Sequence, residues 1–375
     1  MQPPTTAMQA VILVGGEGTR LRPLTSTVPK TVVPLVDRPL IVYMLEWLSR
    51  HGVDDVIMSC GFLATGVRDV LGDGSQHGLR LRFLEEPEPR GTAGALKFAE
   101  ELLDERFLML NGDVLTDLDL SAQIAQHEAT GAVGTLALVP VADPSSYGLV
   151  RLHDDHAVRE FLEKPSDASQ IDTNLISAGA YVLERSVLDL IAPGQKASIE
   201  REVWPALVDN GLYGFADERA YWIDIGTPAR YLQVTFDILE GNVQTAVGEL
   251  LGDAYVDVDA TASVEGRVVP PAVVQGGAQI ARGAHVGSLA VIGRDASIGA
   301  GSIVERSVVL RGARIGENCV LRDCIVCPEA VIGDRTQVID GAMIGENVKI
   351  GADNVVARGA RLFPGMEVPD GGLAF

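Results

Sequence analysis

The stretch Val286-Gly287-Ser288-Leu289-Ala290-Val291-Ile292-Gly293-Arg294-Asp295-Ala296-Ser297-Ile298-Gly299 repeats its character every six residues. An aliphatic residue stands at Val286, Ile292 and Ile298, glycine follows each, and a small residue, Ala290 or Ala296, comes four places later. The aliphatic positions extend back to Ile280 and Val274 and forward to Val304 and Leu310. The register then slips by one to Ile315 and Leu321, slips again, and runs on through Val326, Ile332, Val338, Ile344, Ile350, Val356 and Leu362. A period of six fits neither a helical stripe nor a heptad. It suits short strands joined by tight turns that coil into a prism with the aliphatic side chains stacked inside.

This run resembles the hexapeptide repeat of left-handed parallel β-helices, and the handedness is what the resemblance implies. Many such domains carry acyltransferase sites with a histidine base between coils. Here His285 is the single histidine after His156, and it reads as a solvated repeat residue, which argues against that activity. Cys319, Cys324 and Cys327 fall in the run as small packed side chains; no fourth thiol or histidine pair stands near enough for zinc.

Upstream, strand-like and helix-like segments alternate, the pattern of an α/β sheet. Strands are expected at 9–14, 53–60, 79–84, 107–110, 133–139 and 178–183. Helices are expected at 39–51, with Leu40, Tyr43, Met44, Trp47 and Leu48 on one side, at 94–103 and at 228–241. The resulting division is a loose tail over 1–7, a catalytic domain over 8–241, a linker over 242–257 and the repeats over 258–375.

Chemistry enters after the first strand, at Gly15-Gly16-Glu17-Gly18-Thr19-Arg20-Leu21-Arg22-Pro23-Leu24-Thr25, closed by Pro29-Lys30. Glycines let the backbone approach a polyphosphate, and successive N–H groups can cradle an anion. The spacing is neither that of a P-loop nor of a dinucleotide fingerprint. The whole string is similar to the signature of the sugar-nucleotide pyrophosphorylases, and within them to the guanylyl-transferring branch. Further matching segments follow in family order: Pro89-Arg90-Gly91-Thr92-Ala93-Gly94-Ala95-Leu96, Asn111-Gly112-Asp113, Tyr147-Gly148, Phe161-Leu162-Glu163-Lys164-Pro165, Ser198-Ile199-Glu200-Arg201-Glu202-Val203 and Trp222-Ile223-Asp224-Ile225-Gly226.

The resemblance implies a Rossmann-like nucleotidyltransferase domain followed by the left-handed β-helix, and an enzyme that joins a nucleoside triphosphate to a sugar 1-phosphate. It implies Mg²⁺ held by Asp113 and Asp224, Arg20 on the departing β- and γ-phosphates, Lys30 at the transferring phosphoryl group, and Lys164 on the sugar phosphate. Nucleotide contacts are expected from Leu13, Gly15, Gly16, Gly18, Thr19, Gly91, Thr92 and the acidic pair Glu85 and Glu86. A carboxylate suits the N1–H and N2–H₂ donors of guanine, which favours GTP over UTP or dTTP. Sugar contacts are expected from Gly148, Glu163, Lys164 and Ser177, the last standing where the guanylyl branch often has asparagine. Mannose 1-phosphate is the favoured sugar. A UTP-, dTTP- or ATP-dependent glucose-1-phosphate enzyme and a non-catalytic nucleotide-sugar sensor are the alternatives; the presence of all five charged catalytic candidates argues against the sensor.

Bulk properties narrow the field. The 375 residues carry 51 acidic and 30 basic side chains, a net charge of −21, which disfavours nucleic acid as a partner. No apolar run reaches membrane-span length. Four cysteines are too few to staple a chain of this size, which points to a reducing cytoplasm. Exposed coil edges and flat prism faces lead to the expectation of a homo-oligomer.

Overall fold

A computed structural model of the chain describes residues 8–61 and 64–374; the expected loose tail over 1–7 lies outside the described residues. The backbone divides into two compact units. One comprises the chain up to Gly16 together with Ile41–Trp222, and the other joins Glu17–Leu40 to the chain from Ile223 onward. The divisions expected from the sequence follow the chain, whereas these units do not, because the segment that carries Arg20 and Lys30 clusters with the C-terminal half.

The first unit is built on one nine-stranded sheet of β1 Met8–Leu13, β2 Val53–Cys60, β3 Arg80–Glu85, β4 Arg106–Asn111, β5 Gly134–Pro140, β6 Gly148–Leu152, β7 Val158–Glu163, β8 Leu175–Glu184 and β9 Leu212–Ala216. The order is β7-β6-β8-β4-β1-β2-β3, with β5 beside β8 and β9 beside β5. Strands β3, β2, β1 and β4 are parallel to one another, a Rossmann-like half. Ala10, Val11 and Ile12 in β1, like Phe107–Leu110 in β4, are buried, as a parallel sheet covered on both faces requires. Strand β8 pairs with β5 through both Leu175–Ser177 and Tyr181–Leu183, while Ile176 also reaches β6 and Ala180–Glu184 pair with β4. The register with β5 shifts between Ser177 and Tyr181.

Helices α1 Leu40–Arg50, α2 Ala64–Leu71, α3 Gly91–Phe98 and α4 Leu120–Thr130 connect the strands. In α1 the five residues expected to face inward are buried, and the Trp47 indole N–H donates to the Leu118 carbonyl at 2.9 Å. Helix α3 begins three residues earlier than expected and ends at Phe98, because the N–H groups of Ala93 and Gly94 dock on the Ala197 carbonyl, at 3.0 and 3.3 Å. A distinct short turn, Glu100–Leu102, completes the segment. Strands β6, β7 and β9 and helices α2 and α4 carry no expectation from the sequence. Among the described residues no helix is long and apolar enough to cross a membrane.

In the second unit, α5 Pro228–Leu239 leads to three parallel sheets of seven, seven and six short strands. Each strand pairs with the one a full coil later, as Val274 with Ile292 and Ile280 with Ile298. This is the left-handed parallel β-helix. The hexad positions are buried throughout, and the small residues Ala284, Ala290, Ala296, Ser302, Cys319, Thr336 and Ala342 lie in the same interior. One position needs correction. Ile292 pairs with Val309, and Val309, not Leu310, enters the interior stack, so the slip falls between Val304 and Val309, one repeat earlier than expected. The cause is a turn one residue shorter, repeated once in the next coil: the steps from Ile292 to Val309 and from Val309 to Val326 are 17 residues, and the step from Val326 to Ile344 is 18 again. Cys319 and Cys324 belong to the same core and make local contacts: the Cys319 thiol reaches the Gly333 carbonyl at 3.2 Å and the Cys324 thiol the Ser307 hydroxyl at 3.5 Å.

Candidate active site

An open α/β sheet binds ligands outside the carboxyl ends of its strands, where the chain reverses its direction of growth. Here that point lies between β1 and β4. The Leu13 carbonyl ending β1 accepts from the Gly112 N–H at 3.0 Å, and the Val14 N–H donates to the Ser59 carbonyl at 2.9 Å. Gly15 and Gly16 then emerge exposed at this edge, and Asp113 stands half-buried beyond β4. Gly112 has no room for a side chain: a Cβ would lie 2.7 Å from Val14 Cγ1 and 2.9 Å from the Leu13 carbonyl oxygen. The Asn111-Gly112-Asp113 turn is thereby pressed onto the end of β1.

The two glutamates of the acidic pair have different roles at the next strand ends. The Glu85 carboxylate sits 3.3 Å from Arg68 Nη2, with both side chains about half exposed. Glu86 is fixed on both oxygens, accepting from the Ser59 hydroxyl at 2.9 Å and from the Arg90 N–H at 3.3 Å, and its own N–H donates to the Cys60 carbonyl. Burial pushes the Cys60 thiol up to about 12, so it is a packed thiol and not a nucleophile. Gly91 is exposed. Its left-handed φ of 70° and a Cβ position 2.4 Å from the Ala197 carbonyl oxygen both demand glycine. The Thr92 hydroxyl donates to Glu200 at 2.8 Å and accepts from the Ile199 N–H at 2.8 Å. Thr92 thus locks the start of α3 onto the Ser198-Ile199-Glu200 segment.

The residues expected to meet the sugar also gather. Gly148 pairs with Glu163 across β6 and β7. A Cβ at Gly148 would stand 2.6 Å from Phe161 Cζ and 3.1 Å from Glu163 Oε2. The Lys164 N–H donates to the Tyr147 carbonyl at 3.1 Å, and its left-handed φ of 48° swings the ammonium outward to 62% exposure, 3.4 Å from Glu163. A non-glycine residue held in that region stores strain of the kind found at functional turns. Ser177 Oγ lies 3.0 Å from the Tyr181 hydroxyl, whose buried phenol is pushed well above its ordinary range by desolvation. Sequence reasoning assigned no role to Tyr147 or Trp222. The Trp222 indole donates to the Ala178 carbonyl at 2.8 Å, with the Tyr147 ring edge-on at 5.3 Å. An aromatic residue in each of two matching segments was the available signal.

The second unit assembles the remaining expected groups around two glycines. The Thr25 hydroxyl donates to the Gly18 carbonyl at 2.7 Å. A Cβ at Gly18 would lie 3.0 Å from Lys30 Cβ, which brings the loop against a buried lysine stem. Thr19 and Arg20 are exposed on the short turn Thr19–Leu21. A Cβ at Gly226 would stand 2.9 Å from Arg20 Nη2 and 3.0 Å from Asp224 Oδ2, so guanidinium and carboxylate both border a bare α-carbon. Asp224 is also paired with Arg230, which the sequence reading did not single out. The arrangement offers cations for phosphates and a half-buried carboxylate; among the described residues no three His, Cys, Asp or Glu side chains cluster as a metal-only cage.

Comparison with known proteins decides what this chemistry serves. The nucleotidyl transferase family model matches residues 9–241, well over half of the chain. The chain belongs to the nucleotidyl transferase family. A second model, the GMPPB C-terminal domain, matches residues 268–370. This nucleotidyltransferase is 36% identical to the mannose-1-phosphate guanylyltransferase of Mycobacterium tuberculosis over 99% of its own length and 98% of that protein. It is 32% identical to the UTP–glucose-1-phosphate uridylyltransferase of Synechocystis over 80% of its length and 82% of that protein. HddC from Yersinia pseudotuberculosis, complexed with GMP-PN, superposes with a TM-score of 0.52 at 29% identity, covering 60% of this chain and 97% of that one. The protein is a sugar-1-phosphate nucleotidyltransferase.

Proposed function

We propose that this nucleotidyltransferase transfers the guanylyl group of GTP to mannose 1-phosphate, releasing pyrophosphate and GDP-mannose. The observation that carries the reading is the similarity to a mannose-1-phosphate guanylyltransferase along essentially the whole chain. A structural feature supports the choice of base. Glu86 is held at the carboxyl edge of the sheet by Ser59 and Arg90, which leaves lone pairs on a fixed carboxylate for the two guanine donors. The similarity to a uridylyltransferase favours UTP with glucose 1-phosphate as the second reading. Pyrophosphate release measured over a panel of triphosphates and sugar 1-phosphates separates the two.

A sugar-phosphate oxygen attacks the α-phosphorus of the triphosphate, and the bond to the bridging oxygen of pyrophosphate breaks. The attacking oxygen is already ionised, so positioning and charge neutralisation carry the catalysis. In this reading Arg20 holds the leaving phosphates, Lys30 neutralises charge at the transferring group, Lys164 holds the phosphate of the sugar, Glu163 accepts from its hydroxyls, and Gly148 lets the backbone approach it. Gly15, Gly16 and Gly18 allow the backbone to approach the triphosphate. Nucleotidyltransferases of this family generally use a divalent metal. Asp113 and Asp224 fit Mg²⁺, which needs few protein carboxylates when phosphates and water complete its shell. The ion would offset the charge of the phosphates. The domain assignment follows: 8–241 for catalysis and 258–375 for the β-helix. The flat β-helix faces support homo-oligomerisation, and the four free, buried cysteines support a cytoplasmic location.

A further inference from the structure

The loop that carries Arg20 is fastened to the β-helix. Arg361, on the strand Arg361–Leu362 of a late coil, donates from Nη1 to the carbonyl oxygens of Arg20 and Arg22, each at 3.0 Å. The loop's own turns employ other carbonyls: the N–H groups of Leu21, Arg22, Leu24 and Ser26 donate to Gly18, Thr19, Leu21 and Pro23. The oxygens of Arg20 and Arg22 therefore point out of the turn and meet a guanidinium, whose several N–H donors and permanent charge suit paired carbonyls. Further ties follow along the segment. Thr27 Oγ1 donates to Glu346 at 2.6 Å, the Tyr231 hydroxyl donates to the Pro34 carbonyl at 2.5 Å, and Gln275 Nε2 donates to the Val36 carbonyl at 2.8 Å.

Leu21 and Leu24 are buried beneath the turn, whereas Arg20 is exposed, with its guanidinium beside the bare α-carbon of Gly226. The orientation of its own peptide contributes to the direction of the Arg20 side chain, and Arg361 holds the carbonyl of that residue. We infer that Arg361 is a positioning residue for triphosphate binding, through which the β-helix aims Arg20. The inference rests on the reading of Arg20 as the group that holds the leaving phosphates.

The test uses the full-length chain with Arg361→Met, which keeps the length of the side chain and removes its donors, Arg361→Lys, which keeps a charged donor, and Arg20→Ala. Arg361→Met is expected to lower kcat/KM for the triphosphate by about tenfold, the scale of one lost charged hydrogen bond. The KM for the sugar 1-phosphate and the melting temperature should stay as in the wild type, and Arg361→Lys should recover part of the loss. Amide hydrogen exchange at Leu21 and Leu24 should quicken in Arg361→Met. Unchanged triphosphate kinetics in Arg361→Met beside a crippled Arg20→Ala would overturn the inference, as would an equal loss for both substrates with a parallel fall in melting temperature. If Arg20→Ala is itself fully active, the reading of Arg20 fails first, and unchanged exchange at Leu21 and Leu24 would then remove Arg361 as its tether too.

Discussion

Arg20 and Asp224 approach the same bare α-carbon, that of Gly226, at 2.9 and 3.0 Å from the place a Cβ would take. A methyl there displaces the tip of a flexible arginine and not the backbone. Gly226→Ala is therefore expected to fold normally while lowering kcat/KM for the triphosphate by about tenfold or more, the scale of one charge-assisted phosphate contact. Steady-state kinetics beside a thermal melt check this; wild-type kinetics would show that Arg20 does not work from this position.

Asp113 and Asp224 are the proposed Mg²⁺ ligands. Asp113→Asn or Asp224→Asn should lower turnover by about two orders of magnitude or more, with circular dichroism unchanged. Wild-type enzyme should be silent in excess chelator and recover on adding Mg²⁺. Full activity with chelator present contradicts the assignment.

Lys164 leaves β7 with its ammonium largely exposed beside Glu163. Lys164→Ala should cost about 1.5–3 kcal/mol in sugar 1-phosphate binding. Triphosphate binding should change little, and isothermal titration of each substrate separates the effects. An equal loss for both would move Lys164 to the other substrate's site.

His127 is buried on α4 between Thr135 Oγ1 at 2.9 Å and Glu184 at 3.1 Å. Desolvation lowers its pKa from the ordinary 6.5, outweighing the upward pull of Glu184. The folded chain therefore resists protonation that the unfolded chain accepts. Stability from this group is full above about pH 6.5 and declines as the pH falls toward the lowered folded value. His51 acts in the same direction. Urea midpoints between about pH 5 and 7 should fall toward acid in the wild type and fall less steeply in His127→Gln. Identical slopes would exclude the effect.

The β-helix was legible because its interior positions recur at a fixed interval, and a single short turn at Val309 was enough to displace one residue of the register. The parallel half of the sheet was legible for a similar reason, since strands buried on both faces read as continuous apolar runs. Strands β6 and β7 were not, because segments such as Gly148-Leu149-Val150-Arg151-Leu152 mix charge with short apolar runs. The candidate site was legible where chemistry is concentrated in one segment, as at Asn111-Gly112-Asp113. It was opaque where the partners are far apart in the chain. Arg361 meets the carbonyls of Arg20 and Arg22 across more than 330 positions, and in a repeat surface it reads as one solvated arginine among several. Glu86 is fixed by Ser59 and Arg90 while Glu85 pairs with Arg68, which no local pattern reveals.

The central claim is tested most directly by pyrophosphate release from GTP, UTP, dTTP and ATP at equal concentration, each with mannose 1-phosphate and glucose 1-phosphate, in wild type and Glu86→Gln. A site that hydrogen-bonds one base edge rejects bases that leave its acceptor unpaired. The account predicts that GTP with mannose 1-phosphate is turned over best, and that Glu86→Gln erodes the preference for GTP while the melting temperature changes little. Turnover of UTP or dTTP equal to that of GTP in the wild type would contradict it.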